Sequence, residues 1–208
     1  MDAYISRYLR EIEVIVKGLD VAKIEQTLEI LLRLRAEGGR IFFLGLGGGA
    51  GNSSHAVGDF RRLAGIEAYT PTDNVCELSA MINDEGWEDV FVNWLKECKL
   101  NDKDAVFIFS VSGGDAQNNV SVNIIHALKY AKETRAKIMG IVGGNGGYTA
   151  QVADVCVIVP AISSDTVTMH TESFQSAIWH LLVSHPRIKT METKWEAVNA
   201  PSKKREIS

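Results

Sequence analysis

Two histidines and a handful of carboxylates carry the reactive chemistry of this chain. His55 and Asp59 lie four residues apart in a stretch of helical character, so both side chains project from one face, one turn apart. A His and a carboxylate so placed can share a divalent cation or act as an acid–base pair. Glu172 and His180 lie eight residues apart, about 12 Å along a helix axis. One ion meets both only if the Glu reaches forward and the His reaches back; contributions from two subunits relax that demand, and His170 is an alternative ligand in the same region. His180 sits in Ala177-Ile-Trp-His-Leu-Leu-Val183, a neighbourhood that equally suits a core histidine. Asn83-Asp84-Glu85-Gly86 reads as a turn, where Asn and Asp side chains bond their own backbone.

Three loops could hold an anion. Gly45 to Gly51 has five glycines in seven positions; without Cβ atoms their N–H groups can approach a ligand, and a following helix N-terminus adds partial positive charge. Ser110-Val-Ser-Gly-Gly-Asp115 adds hydroxyls, and Gly143 to Gly147 is a second glycine cluster. The first loop also satisfies G-x-G-x-x-A with Glu67 about 20 residues on, the outline of a dinucleotide fingerprint, but a nucleotide leaves the serine loop unexplained. No Lys-Ser/Thr follows the glycines, which excludes a P-loop.

The elements that must position these residues follow from periodicity. Tyr4–Lys17 and Val21–Ala36 repeat apolar residues at helical spacing. Short apolar runs at Arg40–Gly45, Glu67–Thr70, Ala105–Ser110, Lys137–Val142 and Val155–Val159 read as strands. Between them lie helical segments at Asn52–Leu63, Val75–Ile82, Glu88–Lys96 and Ala116–Thr134, and Thr166–Ser184 follows the last strand. Strands separated by helices imply crossovers, hence an α/β domain with a parallel sheet covered on both faces. We divide the chain into an N-terminal helical pair (1–38), the α/β domain (39–190) and a polar tail (191–208).

The 208 residues carry a net charge of −4, with 46% hydrophobic and 23% charged. That is an ordinary globular composition, and it argues against nucleic acid as a partner. No apolar stretch approaches a membrane span, and charges in the first fifteen residues exclude a signal peptide. Cys76, Cys98 and Cys156 are odd in number and far apart, so they read as reduced thiols of a cytoplasmic protein.

In order, Gly45-Leu46-Gly47-Gly48, His55-x-x-x-Asp59, Asn83-Asp84-Glu85-Gly86, Ser110-Val111-Ser112-Gly113 and Glu172…His180 give the chain a resemblance to the sugar isomerase (SIS) domain family, and within it to the sedoheptulose-7-phosphate (phosphoheptose) isomerases. The resemblance implies a five-stranded, flavodoxin-like three-layer sandwich, a homotetramer with active sites at subunit interfaces, a sugar phosphate as substrate, and a zinc ion or another divalent metal. It maps the metal to His55, Asp59, Glu172 and His180, with Asp and Glu where the family has Glu and Gln. It maps the acid–base pair to Asp59 and His180. It maps substrate contacts to Leu46, Gly47, Gly48, Asn83, Asp84, Ser110, Val111, Ser112, Asp115 and Glu172. Gly49, Val111 and Asp115 replace family hydroxyls; Arg61 or Arg62 could compensate, or Asp115 could point away. A non-catalytic SIS protein, acting as a regulator or scaffold, is the alternative.

Overall fold

A computed structural model describes residues 2–199; the end of the tail, from residue 200, lies outside them. Five strands form one parallel sheet in the order β2-β1-β3-β4-β5, with β1 at Arg40–Gly45, β2 at Glu67–Tyr69, β3 at Ala105–Ser110, β4 at Lys137–Gly143 and β5 at Val155–Val159. The order reverses at β1, so β1 and β3 flank a topological switch point. β1 and β3 are apolar runs because both faces are covered. On one face pack α1 (Ala3–Gly18), α2 (Val21–Glu37), α3 (Gly48–Leu63) and α8 (Val167–Ser184), with Leu31, Phe43, Phe60, Phe107 and Trp179 at the centre of that core. The other core joins Phe42, Phe91, Trp94 and Leu128, from β1, α5 (Val90–Glu97) and α6 (Val122–Glu133), with Met81 of α4 (Val75–Glu85). A 3-10 turn at Pro71–Asp73 and the short α7 (Gly147–Val152) and α9 (Lys194–Asn199) complete the described elements.

The helical pair is capped as its sequence directs. Asp2 accepts from the N–H of Tyr4, Asp20 from that of Lys23, and Gly38 ends α2 in the left-handed region at φ 70°. A buried carboxylate ties α1 to α8: Glu11, 5% exposed, accepts from Thr166 Oγ1 at 2.7 Å and lies 2.9 Å from His170 Nε2. Arg7 pairs with Asp165 at 2.7 Å on the rim. His170 is therefore spoken for, and it is not a ligand of the site below.

Four expectations shift. The helix expected from Asn52 begins at Gly48, inside the glycine run. Asn83 and Asp84 are not in a turn; they form the last helical turn of α4, which Gly86 ends at φ 88°. The helix expected from Ala116 starts at Val122, because Asp115 and Val120 pair in a small antiparallel bridge that closes the intervening loop. The second glycine cluster runs directly into α7, which periodicity over six residues did not reveal.

Candidate active site

The carboxyl ends of β1 and β3 present the chemistry. α3 leaves β1 through Leu46-Gly47 and carries His55 and Asp59 on one face. α8 packs alongside and brings His180 to them. Ligand atoms of His55, Asp59 and His180 all lie within 4.8 Å of one another. His55 Nε2 is 3.7 Å and His180 Nε2 3.8 Å from Asp59 Oδ2. Ligand atoms of a tetrahedral zinc site stand about 3.4 Å apart, so two nitrogens and one oxygen need only small movements to hold a metal. The tautomer also fits: His180 Nδ1 lies 2.8 Å from the Ser176 carbonyl, to which it must donate, so in the neutral ring Nε2 is the lone-pair nitrogen and faces Asp59. The indole of Trp179, fully buried, meets the His55 ring edge to face at 4.7 Å. Its Nε1–H finds no acceptor among the described residues.

Glu172, expected as a fourth ligand, is not brought to this group. Two helical turns back on α8, its carboxylate lies over Gly48, where a Cβ would run into it. Its neighbourhood is braced by Asn52, whose Nδ2 donates to the Glu172 carbonyl at 2.9 Å and to Gln175 Oε1 at 3.1 Å; buried Gln175 donates in turn to the Ile141 carbonyl of β4. The glycines here are a packing requirement. A Cβ at Gly49 would strike the Phe109 carbonyl, and one at Gly45 the Gly49 backbone.

Beyond Gly48 lies the serine loop. Ser110 Oγ accepts from Gly113 N–H at 3.1 Å and Ser112 Oγ from Gly114 N–H at 3.2 Å, which leaves both hydroxyl protons to donate to a ligand. Val111 contributes its carbonyl to Gly143 N–H. Asp115 does turn toward its own loop: Oδ1 accepts from the N–H groups of Gln117 and Asn118, and Oδ2 from Asn118 Nδ2 at 2.6 Å. The Asn118 side-chain and backbone bonds hold its carboxyl below the usual range. Arg61 does not compensate, since its guanidinium lies 4.7 Å over the Tyr69 ring. Asn83 donates to Asp84 at 2.7 Å on an exposed face of α4, and no bond joins either to the His55 group among the described residues. Glu67 stands at the amino end of β2, opposite Arg40, the wrong end for a ribose contact. Asn52, Gln175, Ser176 and Trp179 went unsingled in the sequence. A polar residue on the apolar face of α8 was the one available signal, and it applies only to Gln175.

A family model described as SIS domain matches residues 3–143. Phosphoheptose isomerase 1 of Campylobacter jejuni is 31% identical over 186 residues, 85% of this chain and 90% of the relative. Phosphoheptose isomerase of Rhodospirillum rubrum is 29% identical over 154 residues, 72% and 76% of the two chains. The solved phosphoheptose isomerase of Neisseria gonorrhoeae superposes with a TM-score of 0.74 at 24% identity, covering 87% of this chain and 94% of that one. The three comparisons converge on one fold, and the two relatives named here carry the name phosphoheptose isomerase.

Proposed function

The chain belongs to the SIS-domain family, within its phosphoheptose isomerases, and on that premise we propose that it interconverts sedoheptulose 7-phosphate and an aldoheptose 7-phosphate. The observation that carries this reading is the His55, Asp59 and His180 group gathered between α3 and α8. Isomerisation moves one proton between adjacent carbons through an enediol. Starting from the ketose, one of Asp59 and His180 takes the C1 proton while the other protonates the carbonyl oxygen at C2; the O1 proton then leaves as C2 is protonated, and the aldehyde forms. No electron acceptor is needed, because oxidation at C1 balances reduction at C2. A divalent ion such as Zn²⁺ would be held by His55, Asp59 and His180 and would supply Lewis acidity there, the proton role falling to whichever of Asp59 and His180 holds it less tightly. Glu172, over Gly48, faces the sugar between the reacting end and the loop. The hydroxyls of Ser110 and Ser112, with the backbone from Leu46 to Gly48, hold the phosphate, and fixing a flexible sugar in this way lowers the barrier further.

The same reading makes the chain a cytoplasmic homotetramer. Two observations support it: the His55 side chain is 61% exposed in one chain and so open to a neighbour, and Cys76, Cys98 and Cys156 are all free thiols. No helix among the described residues is long and apolar enough to cross a membrane. Elemental analysis with an isomerisation assay tests the proposal. The expected outcome is about one zinc per chain, lost in His55→Ala/His180→Ala, and a rate about 10²- to 10⁴-fold lower in Asp59→Asn. A metal-free protein, inert after zinc is restored, would move the chain to the non-catalytic alternative.

A further inference from the structure

The contacts between α3 and α8 advance in step, so the two helices run side by side in the same direction. Gly48 meets Glu172, and Asn52 meets Glu172 and Gln175. Further along, His55 meets Trp179 and His180, and Asp59 meets His180. We propose that Asn52 and Gln175 are positioning residues, whose hydrogen bonds set the register of α8 on α3 and so hold His180 against His55 and Asp59.

The bonds form one directional chain. Gln175, fully buried, donates from Nε2 to the Ile141 carbonyl of β4 at 3.2 Å. A carbonyl only accepts, so Gln175 turns its Oε1 the other way, where it accepts from Asn52 Nδ2 at 3.1 Å. The second proton of that Nδ2 goes to the Glu172 carbonyl at 2.9 Å. Both ends of the chain are main-chain carbonyls. Neither amide can flip without setting acceptor against acceptor or donor against donor. A strand and both helices are thereby tied together at one level, about one turn before His55.

Packing alone leaves this register loose. Helices lock when side-chain ridges of one enter grooves of the other, and α3 from Gly48 to Ser54 carries nothing larger than Asn52. Its glycines permit close approach but give nothing that stops one rod sliding along the other. A hydrogen bond does stop it, since its useful lengths span only about 0.5 Å. The metal group needs that restraint. A slip of one residue is about 1.5 Å, several times the roughly 0.2 Å that a metal–ligand distance tolerates. A buried amide pair of this kind contributes specificity of arrangement more than stability, so replacing both amides by apolar groups of similar shape should cost the fold little.

This assignment rests on the isomerase reading for the use made of the metal group, but not for the register itself. The test is Asn52→Leu/Gln175→Met in the full chain, with two readouts besides the urea midpoint. In metal-free protein, nuclear Overhauser contacts between the His55 and His180 rings, whose centres lie 5.2 Å apart, report the register directly. Competition with a chelating dye reports zinc affinity. The double variant should keep a urea midpoint close to that of the wild type, lose the ring-to-ring contact and hold zinc about 10- to 100-fold less tightly. Asn52→Ala or Gln175→Met alone should weaken zinc nearly as much, because one missing link opens the chain, and these single variants decide if the double variant does not fold. A wild-type chain that takes no zinc defeats the metal reading, and the ring contact then decides the register by itself. A variant that keeps both the contact and the zinc affinity overturns the proposal. So does one whose midpoint falls while the folded protein binds zinc as before, the result a purely structural pair would give.

Discussion

A histidine becomes useful when something else fixes its tautomer. His180 owes its lone pair to a carbonyl one turn back on its own helix, so Ser176→Ala, which spares that carbonyl, should leave metal uptake within about twofold, as the hydroxyl contact at 3.3 Å is the weaker one. Among the described residues His55 has no such partner; it leans on Trp179. Trp179→Ala removes a fully buried indole from the larger core and should cost about 3–5 kcal/mol in urea unfolding. Trp179→Phe forfeits no hydrogen bond made among the described residues, since the indole N–H has no acceptor there, and should recover most of that stability. At this scale the sequence is informative about the side chains that gather and nearly silent about their supports. His55, Asp59 and His180 announce themselves by type and spacing, whereas Asn52 and Trp179 matter only because α3 and α8 lie side by side.

Elements show where local preference and tertiary demand part. β1, β3 and β5 end where the apolar runs end, since an apolar run between polar residues marks a buried strand plainly. α3 begins four residues before its helix-forming sequence does, because Gly48 and Gly49 are chosen for close approach to Glu172 and Phe109 and not for helix propensity. Two substitutions in one helix separate these causes. Gly49→Ala meets a backbone carbonyl and should destabilise by about 1–3 kcal/mol; Gly58→Ala, exposed and with open space around it, should stabilise by about 0.5–1 kcal/mol. Thermal unfolding checks both. The junction of α1 with α8 gives a pH dependence. Hydrogen bonds from Thr166 and His170 lower the Glu11 pKa, and those from Arg7 and Ser163 take Asp165 down to about 2. A carboxylate depressed by folding stabilises above its unfolded value and loses that contribution as pH falls through the folded one. Urea midpoints should therefore fall from about pH 4.5 toward pH 2, and Glu11→Gln/Asp165→Asn should flatten that limb while lowering the midpoint at pH 7.

The whole molecule leaves one helix conspicuously unfinished. α1 buries Glu11 and Ile15 but exposes Ile5, Leu9 and Val16 at 57%, 57% and 56%, with Tyr4 alongside. A stripe of that kind, on a helix whose other side packs Ile12 and Ile15 into the core, fits a subunit contact. Ile5→Asp/Leu9→Asp should reduce the mass seen by light scattering from the assembled form to a single chain, with the far-ultraviolet circular dichroism of the folded domain retained. The amphipathic period of this helix was plain in the sequence. Which of its sides meets the body was not, because that depends on Glu11, a charged residue that periodicity assigns to solvent.

α8 joins three duties on one rod: His170 in the grip of Glu11, Glu172 over Gly48, and His180 against Asp59. Inserting one residue between Glu172 and His180 would turn everything beyond it by about 100° and advance it about 1.5 Å, pulling the imidazole off its carboxylate while the helix itself remained intact. Descent with altered length is thus barred along this segment. The loop from Asp115 to Val120, closed by bonds within itself, carries no such bar, so lineages of this chain are free to lengthen or shorten it while inheriting the His55, Asp59 and His180 group unchanged.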